Sequence, residues 1–355
     1  MTTYLPPVLP LTVTLRTAEP QRLPPFLGSA LHGALGGALY RTVCAFPKRE
    51  RCPGCPLYAR CAYAALFETP AGVERRSTPQ GERERCPTPL EGGSAAPAAA
   101  NDALHAAGIR DQAPRPLVLA SEPGWTRTSG NPFRLAADCD VPFRLTLIGR
   151  AIDDLPVVIV ALQAMARRGL GIPEERERDG ERHRAAMQLV GVTTDSAHVV
   201  YDAESERFNP PPTAPAPDSG GAGEATIEFV TPLRLKHQGR LAGTVTPPLF
   251  FDTLAQRANA LAVLFGDNAA AVDRAAAVAA AHDVAVVATR LRRVHVTRYS
   301  ARQRQRMQWP GLMGTLHWRG GALRELWPLL HFGERVQVGK GTALGFGRYM
   351  LRGAA

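Results

Sequence analysis

Apolar residues in the first half of the chain recur with two periods, one typical of strands and one typical of helices. Residues 9–17 alternate apolar and polar side chains, which predicts a half-buried strand. Residues 27–43 carry an apolar side chain at every fourth position, which predicts an amphipathic helix. Further strands are expected at 142–150, 187–193 and 198–202, with a helix over 153–168 between the first two. The first half therefore has the order β-α-β-α-β-β.

The second half repeats this alternation after a segment rich in proline and glycine. Residues 204–223 contain PPPTAPAPDSGGAG, the clearest domain boundary in the sequence. A strand at 225–230, helices at 249–265 and 268–281, and several closing strands follow it. We therefore predict an α+β protein with two tandem ferredoxin-like domains, at 1–203 and 224–355. Long loops are expected at 70–116 and 173–184.

The charge of the chain favours a polyanionic partner, nucleic acid before a membrane. The formal net charge is +10 and the isoelectric point is about 9.8. Arginine supplies nearly all of the positive charge, because lysine occurs only at positions 48, 236 and 340. The sequence has no secretory signal, and its longest apolar run is too short to span a bilayer. We expect a cytoplasmic protein whose cysteines are reduced or bound to a metal.

Four cysteines cluster within residues 44–61 with the spacing C-x7-C-x2-C-x5-C. Two thiolates in a C-x2-C pair can share one tetrahedral metal ion, and the prolines and glycine around it suit a tight turn. Four sulfur ligands favour structural Zn²⁺, with an iron–sulfur cluster as the alternative. Cys86 is able to replace one ligand. The predicted four-cysteine metal knuckle, an insertion in the first domain, consists of Cys44, Cys52, Cys55 and Cys61.

The segment VGKGTALGFGRYML, residues 338–351, is rich in glycine. Glycine allows positive φ and leaves the backbone uncovered, so several N–H groups can turn toward one anion. The spacing matches neither a nucleotide P-loop nor a dinucleotide-binding motif. We expect strand-like runs at 335–338 before the segment and at 348–351 after it. The candidate anion ligands are Gly339, Lys340, Gly341, Gly345 and Gly347.

A second basic region, residues 290–306, contains seven arginines and no acidic residue. Its charged and aromatic side chains alternate with Val294 and Val296, which predicts a half-buried strand with one basic face. Such a face suits phosphates and a stacked base. The candidate RNA ligands are Arg290, Arg292, Arg293, His295, Arg298 and Tyr299.

Two further groups of residues are candidates for chemistry. The first is the stretch TPLRLKHQGR, residues 231–240, in which four candidate residues follow a predicted strand: Arg234, Lys236, His237 and Arg240. On the first helix, His32 lies near the leucine stripe, with Tyr40 two turns further on. No zinc-protease, serine-hydrolase or zinc-deaminase motif occurs, and no carboxylate set suits a two-metal nuclease. A metal-dependent DNA nuclease is therefore disfavoured.

Together these features resemble the CRISPR repeat-processing endoribonucleases of the RAMP superfamily (the Cas-six family). Four stretches between residues 27 and 351 carry the resemblance: GALGGALYRTVC with CPGCPLYARCAYAALFETP, FRLTLIGRAIDDLPVVIVALQAMARRGLG, FVTPLRLKHQGR, and RYSARQRQRMQWPGLMGTLHWRG with LWPLLHFGERVQVGKGTALGFGRYML. The resemblance implies two ferredoxin-like (RRM-like) domains, binding of a CRISPR repeat or crRNA, and cleavage without a metal ion in the chemistry.

The implied reaction is attack of a 2′-hydroxyl on the adjacent phosphate, giving 2′,3′-cyclic phosphate and 5′-hydroxyl ends. It needs a base, an acid and a cation. His32 is the matching catalytic candidate, with Tyr40, Lys236 and His237 beside it. Related helices often contain R-G-A-x-G-H, whereas this chain has His32 at the arginine position and Gly37 at the histidine position. The alternative is therefore a catalytically inactive crRNA-binding subunit of a CRISPR effector complex.

Overall fold

The computed structural model describes residues 5–47, 52, 54–68, 113–128, 131–175, 182–212, 222–266, 272–300 and 305–352. The elements of its first half, in chain order, are β1 (Val8–Thr17), β2 (Gln21–Leu23), α1 (Gly28–Val43), α2 (Ala62–Phe67), β3 (Leu117–Ser121), β4 (Phe133–Leu135), β5 (Asp140–Ile148), α3 (Leu155–Arg168), β6 (Glu174–Glu175), β7 (Arg182–His183), β8 (Met187–Thr194), β9 (Val199–Asp202) and β10 (Arg207–Phe208).

The second half continues with β11 (Glu224–Leu233), β12 (Lys236–His237), β13 (Arg240–Leu241), α4 (Pro247–Phe265), α5 (Arg274–His282), β14 (Ala285–Ser300), β15 (Gln305–Arg319), α6 (Leu323–Val336) and β16 (Tyr349–Arg352). No helix in the described ranges is long and apolar enough to cross a membrane.

The first half folds into a six-stranded antiparallel sheet with the order β10-β9-β8-β1-β5-β3. Its central strand β1 alternates as the sequence predicted, with Leu11, Val13 and Leu15 fully buried. Helix α1 buries the expected leucine stripe in the same core. The strands β1, β3, β5 and β8 with helices α1 and α3 run β-α-β-β-α-β along the chain.

The second half folds into a four-stranded antiparallel sheet with the order β14-β15-β11-β16. The chain again runs β-α-β-β-α-β, with α5 as an additional helix after α4. Its core centres on Trp318, Phe250, Phe251 and Tyr349. The prediction of a mixed α+β chain with antiparallel sheets is confirmed. The domain boundary at 204–223 stays a prediction, and residues 213–221 lie outside the described ranges.

Some predicted elements differ from the structure. Residues 335–338 are not a strand, because α6 extends to Val336; Val336 and, two residues later, Val338 are both buried in the core. The predicted helix 268–281 is described from Arg274, where the Asp273 side chain accepts from the Ala276 N–H at 3.0 Å. The predicted loop 173–184 contains the short pair β6–β7. Most of the predicted loop 70–116 lies outside the described residues.

The two halves of the chain are in close contact where the turn after β5 meets the end of α4. Gly149 has φ +60°, and a Cβ added there would lie 2.0 Å from the carbonyl oxygen of Phe265. The neighbouring Arg150 donates from Nη2 to the Leu264 carbonyl at 2.9 Å. The end of α4 therefore lies directly against the turn that follows β5.

Candidate active site and nucleic-acid interface

The glycine-rich segment forms a tight loop between α6 and β16. Its four glycines all adopt positive φ, between 75° and 89°. A Cβ at Gly347 would lie 1.9 Å from the Val338 carbonyl oxygen, so the loop closes on itself at this point. With its amide turned so that the nitrogen faces them, the Gln337 side chain donates to the carbonyls of Thr342 and Phe346 and closes the loop further.

Backbone N–H groups of this loop are used within the protein. Those of Lys340 and Gly347 donate to the carbonyls of Arg234 and Pro232, at 2.8 and 3.0 Å. The N–H groups of Leu344, Gly345 and Phe346 donate to carbonyls inside the loop, those of Gly341 and Thr342. The expectation that the N–H groups turn toward an anion is therefore wrong for these five donors. They fix the shape of the loop.

The loop packs against the start of α1 and against β3. A Cβ added to Gly28 would lie 2.1 Å from the carbonyl oxygen of Leu344, so only glycine fits there. On the other side, a Cβ on Gly345 would lie 2.8 Å from the Leu119 carbonyl oxygen. Phe26 and Phe346 pack with ring centroids 4.7 Å apart. The C-terminal loop and the N-terminal helix therefore meet at one place.

His32 lies one helical turn beyond Gly28, at this junction. It is half-buried, and its ring centroid is 5.0 Å from that of Phe67. The Arg115 Nη1 atom lies 3.0 Å from His32 Nε2. A histidine and a guanidinium are thus in direct contact beside the glycine-rich loop.

Tyr40 lies two turns further along α1, next to the cysteines. Its hydroxyl donates to the Pro47 carbonyl at 3.1 Å, and hydrogen bonding to Cys44, followed by burial, raises the pKa of the Tyr40 phenol. Its ring contacts Tyr63, which stacks on Phe67. Tyr63 is more buried, and burial raises its pKa to about 12. Tyr40 and His32 are therefore at two ends of a row of aromatic rings.

The four clustered cysteines are unpaired and half-buried. The Cys55 N–H donates to the Cys52 carbonyl at 2.9 Å, which closes the expected tight turn. Burial raises the pKa of the Cys52 thiol, and Glu68 and the other three thiols raise it further. Within the described ranges, however, no group of three or more His, Cys, Asp or Glu side chains is arranged to hold a metal ion. The metal knuckle stays a prediction, and its reserve ligand Cys86 lies outside the described residues.

The basic strand β14 has the predicted alternation. It pairs with β15 from Ala285 to Ser300, and Val294 and Val296 are buried while the intervening side chains face solvent. The exposed candidates are Arg290, Arg292, Arg293 and His295. The backbone of β14 includes positions 298 and 299, but the side chains of the candidates Arg298 and Tyr299 lie outside the description.

Arg234 is partly buried, unlike the other candidates of the 231–240 stretch. Its guanidinium lies over the Trp309 ring, 4.4 Å from the centroid, and donates to the Pro310 carbonyl at 2.9 Å. Burial lowers the pKa of this guanidinium. Lys236, His237 and Arg240 lie instead on the exposed ribbon β12–β13. Arg234 therefore packs against the glycine-rich loop, while the three residues of the β12–β13 ribbon face solvent.

A chain of charged side chains links β16 to the first sheet. Arg348 is 8% exposed, donates from Nη2 to Glu122 Oε2 at 2.9 Å, and also donates to the Ser121 carbonyl. Glu122 lies 3.7 Å from Arg144, which also pairs with Asp195. Burial lowers the pKa of Arg348, and the Glu122 carboxylate opposes that shift.

Sequence reasoning missed three contributors to this junction: Arg115, Glu122 and Trp309. Arg115 fell in the segment treated as loop, although the apolar run of residues 117–120, which begins two residues after it, marks the start of β3. Glu122 sits just past the other end of that strand. Trp309 lies opposite Val296 in the β14–β15 pairing, a register that the sequence alone does not give.

Two family models match the chain. The model described as CRISPR-associated endoribonuclease Cas6 matches residues 227–349, and an N-terminal-domain model matches residues 5–92 and 93–213. Residues 227–349 of this chain therefore match the Cas6 family. The Cas6 model includes the arginine strand and ends within β16, so it covers the C-terminal half of the junction.

Solved structures show the same fold. A product complex of Thermus thermophilus Cas6 is 18% identical, covering 97% of this chain and 99% of that chain, with a TM-score of 0.50. A partial Cas6-RT-Cas1–Cas2 complex is 10% identical, covering 99% of this chain and 47% of that chain, with a TM-score of 0.51. No curated protein matches the sequence.

Proposed function

We propose that this chain binds CRISPR repeat RNA through two tandem ferredoxin-like domains and cleaves it without a metal ion in the chemistry. The observation that carries the proposal is the junction itself. His32 and Arg115 touch each other next to the glycine-rich loop, where the Cas6-matched half meets the first helix. A base and a cation are thus available at the same point.

The proposed reaction is an internal transesterification. A base removes the proton of a 2′-hydroxyl, the O2′–P bond forms, and the P–O5′ bond breaks while an acid returns a proton to O5′. The products are a 2′,3′-cyclic phosphate and a 5′-hydroxyl, so no water, oxidant or cofactor is consumed. His32 is the proposed base, and Tyr40, Lys236 and His237 stay untested candidates for the other roles.

RNA binding is proposed to depend chiefly on phosphate contacts. The exposed arginines of β14 and the ribbon residues Lys236 and Arg240 offer a positively charged surface in a chain of net charge +10. Such contacts position an RNA without reading its bases. We propose a cytoplasmic protein with CRISPR repeat RNA as its partner, and other CRISPR effector subunits as partners of the bound crRNA.

One observation favours a second candidate function. At the family's frequent histidine position the chain has Gly37, and its helix carries His32 five residues earlier. A subunit that holds crRNA without cutting it would keep the arginine strand and the glycine-rich loop and need no base. The two functions differ only in catalysis.

The deciding experiment is incubation of the purified protein with its own repeat RNA in excess EDTA. We expect one cut per repeat, a cyclic phosphate on the upstream fragment, and no cut in RNA with a single 2′-deoxy substitution at the scissile nucleotide. His32→Ala should lower the single-turnover rate by about 10²–10⁴-fold, the scale of general acid or base catalysis. His282→Ala, at an exposed position on α5, is the matched control.

Each result has a defined meaning. A wild-type protein that binds its repeat and never cuts it favours the binding subunit. Wild-type cleavage that persists in His32→Ala moves the base to His237, His295 or Tyr40. Cleavage that stops in EDTA and returns with a divalent ion contradicts the metal-independent mechanism.

We also propose structural Zn²⁺ at Cys44, Cys52, Cys55 and Cys61, with an iron–sulfur cluster as the alternative. Four thiols are a suitable tetrahedral donor set, and the Cys55 N–H bond to the Cys52 carbonyl closes the tight turn between two of them. Elemental analysis should find about one zinc per chain. Cys52→Ser with Cys55→Ser should lose it, whereas Cys139→Ser should not. Folded protein without metal would overturn the proposal.

A further inference from the structure

The contact between Arg115 and His32 joins residues that are 83 positions apart. Arginine has only N–H donors and stays charged in proteins, so it cannot accept a hydrogen bond. The His32 Nε2 atom at 3.0 Å must therefore be the acceptor. In the RNA-free protein Nε2 carries the lone pair, and the ring proton is on Nδ1.

Arg115 is placed by the same strand that contacts the glycine-rich loop. The carbonyl of the next residue, Pro116, accepts from the Ile148 N–H at 2.9 Å, which anchors the start of β3. Four residues after Arg115, the Leu119 carbonyl lies against Gly345. These contacts fix the backbone next to Arg115 relative to the glycine-rich loop.

The charge of Arg115 acts on more than His32. It lowers the pKa of Tyr63, although burial raises that pKa more strongly. Arg115 is half-buried, and it contributes positive charge to a site of His32 and aromatic rings. A partly buried positive charge beside an unprotonated nitrogen is suited to an anionic substrate group.

We propose that Arg115 is a second catalytic residue, whose guanidinium leaves His32 when RNA binds and contacts a non-bridging oxygen of the scissile phosphate. This inference rests on the proposed function. The transfer does two things at once. It frees the His32 Nε2 lone pair to accept the 2′-hydroxyl proton, and it brings positive charge to the phosphorus.

The electrostatic stabilisation that Arg115 would supply is largest in the transition state. The pentacoordinate phosphorus carries one more negative charge than the phosphodiester, so a guanidinium there binds the transition state better than the ground state. The bonds formed and broken in the transesterification are unchanged, because Arg115 gives up no proton. A role limited to holding α1 in place would instead affect stability and leave the transition state unchanged.

The test compares Arg115→Ala, Arg115→Gln and Arg115→Lys with wild-type protein in single-turnover cleavage in EDTA. We expect Ala and Gln to lower the rate by about 10²–10³-fold, as for loss of one transition-state donor, and Lys to recover part of it. Affinity for the uncleavable 2′-deoxy RNA should fall less than tenfold. Millimolar guanidinium should restore part of the Arg115→Ala rate, whereas sodium chloride at equal ionic strength should not. Arg16→Ala, which loses a surface ion pair with Asp140, is the matched control.

The outcomes separate this inference from the function on which it rests. A wild-type protein that does not cleave overturns both. Wild-type cleavage with an unchanged Arg115→Ala rate overturns the role of Arg115 alone. A slow Arg115→Ala that guanidinium does not restore, together with a matching loss of thermal stability, makes Arg115 structural. If Arg115→Ala does not fold, a Lys variant no faster than the Gln variant overturns the inference.

Discussion

At the scale of single residues, the absence of a side chain is what allows the two halves to meet. Gly28 and Gly33 lie on the same helix and differ in surroundings. A Cβ on Gly28 would overlap the Leu344 carbonyl at 2.1 Å, whereas a Cβ on Gly33 would have no atom within 4 Å. Two chemically identical substitutions should therefore have opposite effects.

Gly28→Ala should destabilise the protein by about 1–3 kcal/mol, since the loop backbone must shift to admit a methyl group. Gly33→Ala should stabilise it by about 0.5–1 kcal/mol, because alanine loses less conformational entropy in a helix. Thermal and urea unfolding of both variants measure the difference. Equal effects would mean that the loop does not rest on α1 in solution.

Residue chemistry was only partly predictable. The sequence pointed to His32 as a candidate, but the partner that gives it a defined tautomer lies 83 residues away. Nothing local marks Arg115 among the chain's many arginines. The rare lysines were the more obvious candidates. Pairing across the fold decides which cation reaches the histidine, and a single sequence carries no record of that pairing.

At the scale of elements, β14 is the clearest test of RNA binding. Arg292 and Arg293 are both exposed on it. Their joint reversal, Arg292→Glu with Arg293→Glu, should weaken RNA affinity. It should also flatten the slope of log affinity against log salt by about 0.7–0.9 per lost phosphate contact. Filter binding between about 50 and 200 mM salt, where phosphate contacts change affinity strongly, measures both.

The matched control reverses arginines on another surface. Arg16→Glu with Arg207→Glu changes the net charge by the same amount, and both residues lie in the first sheet. If the control variant loses as much affinity and slope as the β14 variant, total charge and not the strand governs binding.

Periodicity predicted elements where one face is buried over many residues. Helix α1, strand β1 and the alternation of β14 all follow from the sequence. It failed at 335–338, where Arg335, Val336, Gln337 and Val338 alternate over four residues only. Such a short alternation is compatible with a strand. In the structure, however, these residues are the end of α6 followed by Gln337, which has a positive φ. The longer apolar period of 323–336 was the stronger signal.

At the scale of the whole molecule, the largely buried pair of Arg348 and Glu122 joins the residue before β16 to the residue after β3. Arg348→Met or Glu122→Gln alone should cost about 1–3 kcal/mol, because each removes the main charged partner of a largely buried group. The double variant should cost less than the sum by about 0.5–3 kcal/mol. Chemical denaturation of the three variants completes the cycle.

The control pair is Arg352 and Glu228, which lie on β16 and β11 and are largely exposed. Arg352→Met should cost at most about 1 kcal/mol. Strictly additive effects of the Arg348 and Glu122 changes would contradict the coupling. The alternation of two similar halves was visible in the sequence, but this contact was not, since its residues lie 226 positions apart.

The edge position of β14 has a consequence for how the protein behaves in solution. A long edge strand presents a row of unpaired backbone groups, and β14 carries Val286 and Val287 near its start, each nearly half exposed. Its arginines repel a second copy, so the same charges that suit RNA also keep chains apart. Salt at about 1 M shortens the reach of that repulsion to about 3 Å. Concentrated salt should therefore favour precipitation of the protein, whereas low salt or bound RNA should keep it in solution.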